Sequence, residues 1–345
     1  MLVNRNRGLH RLLSALLVAG IAVLAPNAAR AQDIVVDTDF VAAALARGTI
    51  VWDVRSGNQY LHGHIPGAVN IDDIGNVLRD PNSEDYIPVA DIERMLGGAG
   101  IDPARDIVLY GDKASPAPYF GYVTLRWLGV TRAYIYHGGI DDWESAGKAL
   151  ATDLVRLPAV AFEARPDAQR LVSTREVVER LDNPQVQIVD VRTAREHRGE
   201  DIRALRGGHI PGSINIPYEA NWVDPDTPRK LARRVVANKD GMNLKPRAEL
   251  AQLYAALDPE KETIVYCQSG SRASETAVVL EQLGFRNVRI YDSSWLGYGN
   301  SFAAPVENAT YFNVTRVNRM VEALQVQIDQ LQGEIAELKA AKAKK

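Results

Sequence analysis

The chain has 345 residues, with 40 lysines and arginines against 43 aspartates and glutamates, 46% hydrophobic residues and one cysteine. That length is enough for two ordinary domains with their own cores. An acidic balance without a basic stripe excludes nucleic acid as a partner, and a lone cysteine excludes a disulfide framework.

Residues 1–31 read as an address rather than as structure. Arg5, Arg7 and Arg11 form a positive start, Leu12 to Ala25 is a short apolar core, and Ala29-Arg30-Ala31 is a small-x-small cleavage site before Gln32. The apolar run is short for a bilayer span, and an uncleaved anchor is the alternative reading. The arginines are not adjacent, which favours the general export route over a twin-arginine one. No cysteine follows for lipid attachment. The expectation is export, to a bacterial periplasm. Four arginines and no acid lie in this segment, so the remainder carries 36 basic against 43 acidic groups, a net charge of −7.

The next elements come in two matching sets. Trp52-Asp53-Val54-Arg55 precedes Gly63-His64-Ile65-Pro66-Gly67-Ala68-Val69-Asn70-Ile71, and Val189-Asp190-Val191-Arg192 precedes Gly208-His209-Ile210-Pro211-Gly212-Ser213-Ile214-Asn215-Ile216. The second copy holds eight extra residues between its two strings, in Arg198 to Gly207. Such self-similarity is the mark of a duplication. Buried-strand patterns follow in each copy, at Ile107-Val108-Leu109-Tyr110 and Thr263-Ile264-Val265-Tyr266. Helical patterns come next: Tyr122 to Leu128 ended by Gly129, and Ala273, Ala277, Leu280 and Leu283 on one face, with Gly284 as the residue past the end. Each copy then has a further strand, Ala133-Tyr134-Ile135-Tyr136 and Val288-Arg289-Ile290-Tyr291. Strands alternating with helices predict two α/β domains, each a mostly parallel sheet flanked by helices. We place the first domain at 35–155, a proline-containing linker at 156–169 and the second domain at 170–305.

The last segment is different. Val314, Val317, Val321, Leu324, Ile328, Leu331, Ile335 and Leu338 alternate in steps of three and four. Every a position is β-branched, and three of four d positions are leucine, which predicts a parallel two-stranded coiled coil over 312–342 and hence a homodimer. Glu334 at g and Lys339 at the next e attract across such a dimer. A single amphipathic helix lying on its own domain is the alternative.

The combination of D-V-R, G-H-I-P-G-A/S-x-N-I and a strand ending in a cysteine loop resembles the rhodanese family. His137-Gly138-Gly139-Ile140-Asp141-Asp142-Trp143 resembles that family's G-G-x-x-x-W element. Tyr291-Asp292-Ser293-Ser294-Trp295 is similar to the Y-D-G-S-W element of two-domain thiosulfate and mercaptopyruvate sulfurtransferases. The resemblance covers roughly residues 36 to 305. It implies two rhodanese-like domains, the first non-catalytic and the second carrying the nucleophile. Aligning Tyr110 with Tyr266 sets Gly111 and Asp112 opposite Cys267 and Gln268, so the first copy has no sulfur.

The implied chemistry is sulfur transfer. A Cys267 thiolate takes the outer sulfur of a small anionic donor and passes it to a thiophilic acceptor, cyanide or a thiol, in two steps. The loop Gln268, Ser269, Gly270, Ser271 and Arg272 is small and polar, as it must be to wrap N–H groups around an anion. A helix beginning near Arg272 or Ala273 aims its positive end at the sulfur. Arg192 and Arg272 are the candidate donor-binding residues, although the recurrence of D-x-R in the copy without cysteine also gives Arg192 a structural reading. His64 and His209, repeated in both turns, read as structural. Cys267 to Arg272 is C-x4-R, one residue shorter than the C-x5-R loop of the phosphatases that share the fold, and this disfavours a phosphatase. C-Q-S-G-S-R matches neither the thiosulfate-type nor the mercaptopyruvate-type loop, and Glu196 stands where two-domain enzymes often carry an arginine. Arg198, Arg203 and Arg206 are the alternative source of positive charge. An oxidising compartment favours thiosulfate; mercaptopyruvate and a non-enzymatic sulfur-binding or docking module are the alternatives. There is no metal-ligand cluster and no phosphate loop, so no metal or cofactor is expected.

Overall fold

The computed structural model describes residues 34–343; the segment read as an export signal lies outside them. Two five-stranded sheets organise the chain. The first takes β1 (Val35–Val36), β2 (Ile50–Asp53), β3 (Val69–Asn70), β4 (Ile107–Tyr110) and β5 (Ala133–Tyr136) in the order β1-β5-β4-β2-β3, with every pairing parallel. The second takes β6 (Leu171–Val172), β7 (Val186–Asp190), β9 (Ile214–Asn215), β10 (Glu262–Tyr266) and β11 (Asn287–Tyr291) in the order β6-β11-β10-β7-β9, again all parallel. The duplication is therefore strand for strand. β2 and β4 are buried throughout, as continuous apolar runs in a sheet covered on both faces should be.

β8 (Arg206–His209) and β12 (Glu307–Tyr311) form a separate antiparallel ribbon. Its first strand begins at the end of the second copy's surplus segment and runs into the repeated Gly208-His209. Arg206-Gly207-Gly208-His209 has none of the residues that favour strands, so the pairing with β12 makes it one. The guanidinium of Arg206 is buried and donates to the carbonyls of Tyr298, Gly299, Ser301 and Ala304. It ties the surplus segment to the helix Ser294–Asn300 and the turn after it.

The two sheets share one apolar core. The helix Ala117–Trp127 of the first copy packs on the helix Ser271–Leu283 of the second. A single cluster runs from Ile50 and Leu109 through Tyr119 and Phe120 to Val265, Cys267 and Ala277. Both helices end as the glycines predict, with Gly129 and Gly284 at positive φ. The first begins five residues earlier than Tyr122, with Pro118 in its first turn, where a missing N–H costs nothing. The connecting stretch is laced onto the first copy: Val160 donates to Gly97 O, Arg165 to Leu128 O and Asp167 to Trp127 O.

The C-terminal helix runs from Val314 to Ala343. Its a/d residues are 37–71% exposed, so the apolar seam packs against nothing among the described residues.

Candidate active site

Both copies build the same hydrogen-bond frame at the carboxyl ends of their central strands. In the second, Arg192 donates to both oxygens of Asp190 at 3.0 and 2.7 Å and to Gly208 O at 2.8 Å. Tyr266 Oη donates to Asp190 Oδ2 at 2.8 Å and accepts from Ile210 N–H, and Asn215 Nδ2 donates to the carbonyls of Asp190 and Arg192. In the first, Arg55, Asp53, Gly63, Tyr110, Ile65 and Asn70 repeat each of these bonds. This explains why D-x-R, G-H-I-P-G and the late asparagine recur together. Burial works against the Asp190 carboxylate, yet Arg192 and His197 outweigh it and hold the pKa at about 2.

Arg192 thus has a different post from the donor-binding one expected of it. It is 1% exposed, with its guanidinium between the rings of Tyr266 and Trp295, and a donor would have to break the frame to reach it. His209 meets the structural expectation in kind: Nδ1 bonds His197 O, Nε2 bonds Glu307 Oε2, and its ring stacks on His197.

Cys267 follows β10 directly and is 1% exposed. The loop after it is held by its carbonyls. Trp295 N–H donates to Cys267 O at 3.0 Å and Leu296 N–H to Gln268 O at 2.9 Å, while Ser274 N–H and Oγ donate to Gly270 O. The Cys267 N–H donates to Ser294 Oγ at 3.1 Å. Among the described residues, nothing accepts from the N–H groups of Gln268 through Ala273. Six successive amides are therefore free, three of them on the first turn of the helix that starts at Ser271. Such a nest with a helix N-terminus behind it favours an anion. Gly270 sits at φ +86°, where a Cβ would lie 2.8 Å from both Asp292 Oδ1 and Arg79 Nη2, so only glycine closes this turn.

Ser294 stands at φ +47°, where the first copy has Gly139 at +53°. A side chain there is strained; its hydroxyl compensates by accepting from Cys267 N–H and donating to Tyr291 O at 2.7 Å.

The cations around the loop are all partnered. Arg272 makes a two-pronged pair with Glu196 at 2.9 and 2.8 Å. Glu196 also accepts from Arg203 Nη1 and from Thr193, whose hydroxyl caps the short helix Ala194–His197. Burial opposes its charge, but Arg272 and Thr193 prevail and hold the carboxyl at about 2. Glu196, which stands where two-domain enzymes often carry an arginine, thus occupies the guanidinium of Arg272. Arg198 pairs with Glu200 at the surface. The Nε2 of Gln268 donates to Arg203 O, and its Oε1 is buried without a partner.

Two contributors escaped sequence reasoning. Arg79, from the first copy, donates to Ser269 O and Asp292; nothing local marks it, because its partners lie 190 and 213 residues away. The Thr193-x-x-Glu196 capping box was legible as a pattern, but not the ion pair that the same glutamate makes.

A parallel α/β domain present twice, with one cysteine loop at a strand end, defines a class, and comparison with known proteins agrees with it. The rhodanese-like domain family model matches residues 37–146 and again 173–301. The chain belongs to the rhodanese family, in its two-domain form. It is 34% identical to a thiosulfate sulfurtransferase of Corynebacterium glutamicum over 71% of this chain and 80% of that one. It is 33% identical to a Saccharopolyspora erythraea protein provisionally named thiosulfate sulfurtransferase, over 80% of this chain and 97% of that one. The chain is of the sulfurtransferase type. The fold is also similar to the anaerobic ergothioneine biosynthesis enzyme of Chlorobium limicola in complex with trimethyl histidine, with a TM-score of 0.68 at 24% identity over 80% of this chain and 70% of that one.

Proposed function

We propose that the protein moves sulfane sulfur from thiosulfate to a thiophilic acceptor, cyanide or a thiol, through a persulfide on Cys267. The observation that carries this reading is the only cysteine of the chain, followed by six amides unpartnered among the described residues, where the first copy has Gly111. The Cys267 thiolate attacks the outer sulfur of thiosulfate. The sulfur–sulfur bond of the donor breaks, its electron pair leaves with sulfite, and a persulfide anion remains. The acceptor's nucleophile then bonds the outer sulfur, and the pair of the persulfide bond returns to Cys267. The amides stabilise the anion at both stages, and no proton or external electron is needed. Relatives named as thiosulfate sulfurtransferases support the donor. Comparing kcat/KM for thiosulfate and mercaptopyruvate, with cyanide as acceptor, tests it; a higher value for mercaptopyruvate would replace the donor.

The near-complete burial of Cys267 and the engagement of Arg272 by Glu196 favour one second reading, a module that holds sulfur without turning over. That reading predicts persulfidation without steady-state thiocyanate production.

The remaining parts of the reading concern place and assembly. We infer export to a periplasm from residues 1–31, and a homodimer through a parallel coiled coil over 312–342. The exposed, unbroken a/d seam supports the second.

A further inference from the structure

The first domain has no sulfur chemistry of its own, yet one of its side chains enters the cysteine loop. Arg79 lies just past the short helix Ile74–Val77, bridged antiparallel to Tyr86. Its side chain is 5% exposed. Nη1 donates to Asp292 Oδ2 at 2.6 Å and to Glu84 O at 2.8 Å, and Nη2 donates to Ser269 O at 3.0 Å. The guanidinium carbon lies 4.5 Å from the ring centroid of Tyr86 and 4.3 Å from that of Phe120.

An interdomain contact needs no buried cation. Desolvating a guanidinium is costly, and packed apolar groups hold two surfaces together as well. What distinguishes Arg79 is the atom it holds. Four successive carbonyls fix the loop. Those of Cys267, Gln268 and Gly270 are held from within the second domain, by Trp295, Leu296 and Ser274. The carbonyl of Ser269 is held from the first domain, by Arg79. A peptide group is planar and trans, so fixing that carbonyl also fixes the Gly270 N–H on its opposite side. This N–H is one of the six free amides. The guanidinium is also close enough to Cys267 to interact with a thiolate there.

We propose that Arg79 is a positioning residue for sulfur transfer: it turns the Ser269–Gly270 peptide so that its N–H faces the persulfide, and so makes the chemistry of the second domain depend on the docked first domain. The inference rests on the persulfide reading of Cys267. Asp292 completes the device by fixing the guanidinium, and Gly270 leaves the room it needs. The interdomain bond from Ser293 Oγ to Asp85 Oδ1, at 2.6 Å, provides a control. It joins the same surfaces without touching a loop carbonyl.

The test uses the full chain and three variants: Arg79→Met, Arg79→Lys and Asp85→Ala. Each is measured for thermal unfolding, for the pH profile of Cys267 alkylation by iodoacetamide, and for the rate of mass gain with thiosulfate. We expect Arg79→Met to move the alkylation midpoint to higher pH and to slow persulfide formation at least tenfold at saturating donor. Arg79→Lys keeps the charge and should recover part of both effects. Asp85→Ala should lower Tm without moving the alkylation midpoint. If Arg79→Met does not fold, Arg79→Lys decides alone, since a wild-type profile there with the forked donor gone contradicts the proposal. A fall in Tm for Arg79→Met with an unchanged profile and rate would also overturn it and leave Arg79 as a structural contact. Alkylation needs no sulfur donor, so it reports on Arg79 even if wild type fails to gain mass from thiosulfate.

Discussion

Glu196 is where a single side chain decides most about this site. It takes both prongs of Arg272 and one of Arg203, and its depressed pKa of about 2 keeps it ionised throughout the neutral range. Its contribution to stability is fully present above the unfolded value of 4.5 and is lost only as pH falls toward 2. Glu196→Gln should lower stability by about 2 kcal/mol, below the usual cost of breaking a buried pair because both arginines keep some access to water. It should also lower the KM for thiosulfate several-fold, because Arg272 is then free to meet a dianion. Denaturant unfolding and steady-state kinetics measure the two effects, and an unchanged or higher KM would show that Arg272 does not meet the donor. Cys267 itself was legible because it breaks the symmetry of a duplication. The pairing of Glu196 with Arg272 was not, since 76 residues separate them and periodicity says nothing of such contacts.

At the scale of elements, the helix Ser271–Leu283 carries both the loop amides and a buried acid. Glu275 is wholly buried, with Oε1 accepting from Trp222 Nε1 at 3.0 Å and Oε2 unpartnered. Burial raises its carboxyl to about 8, against the opposing hydrogen bond from Trp222. The folded protein then binds a proton that the unfolded chain releases above 4.5, so stability falls as pH rises from about 4.5 to 8. Glu275→Gln keeps an acceptor for Trp222 and should flatten that slope, with a higher Tm at pH 8 than wild type. Equal Tm–pH slopes in the two proteins would contradict the assignment. This helix, its C-terminal glycine and the strands before and after it were readable from apolar spacing. The β8–β12 ribbon was not: its residues have little strand propensity, and most of β12 is exposed, so only long-range pairing creates it.

At the scale of the whole molecule, two copies of one domain share a single cysteine loop, which both copies help to hold. The first domain supplies Arg79 and the larger part of a continuous core, and the C-terminal helix presents an apolar seam with no partner among the described residues. Removing residues 312–345 should convert a dimer into a monomer by light scattering and leave kcat within about twofold, because the exposed helix touches no residue of the loop; a monomer both with and without the segment would refute the dimer. Intact mass after incubation with thiosulfate reports on the proposed Cys267 persulfide without need of an acceptor. Wild-type protein should gain one sulfur atom and Cys267→Ser none. A wild-type mass unchanged by thiosulfate, or a gain that survives in Cys267→Ser, would contradict it.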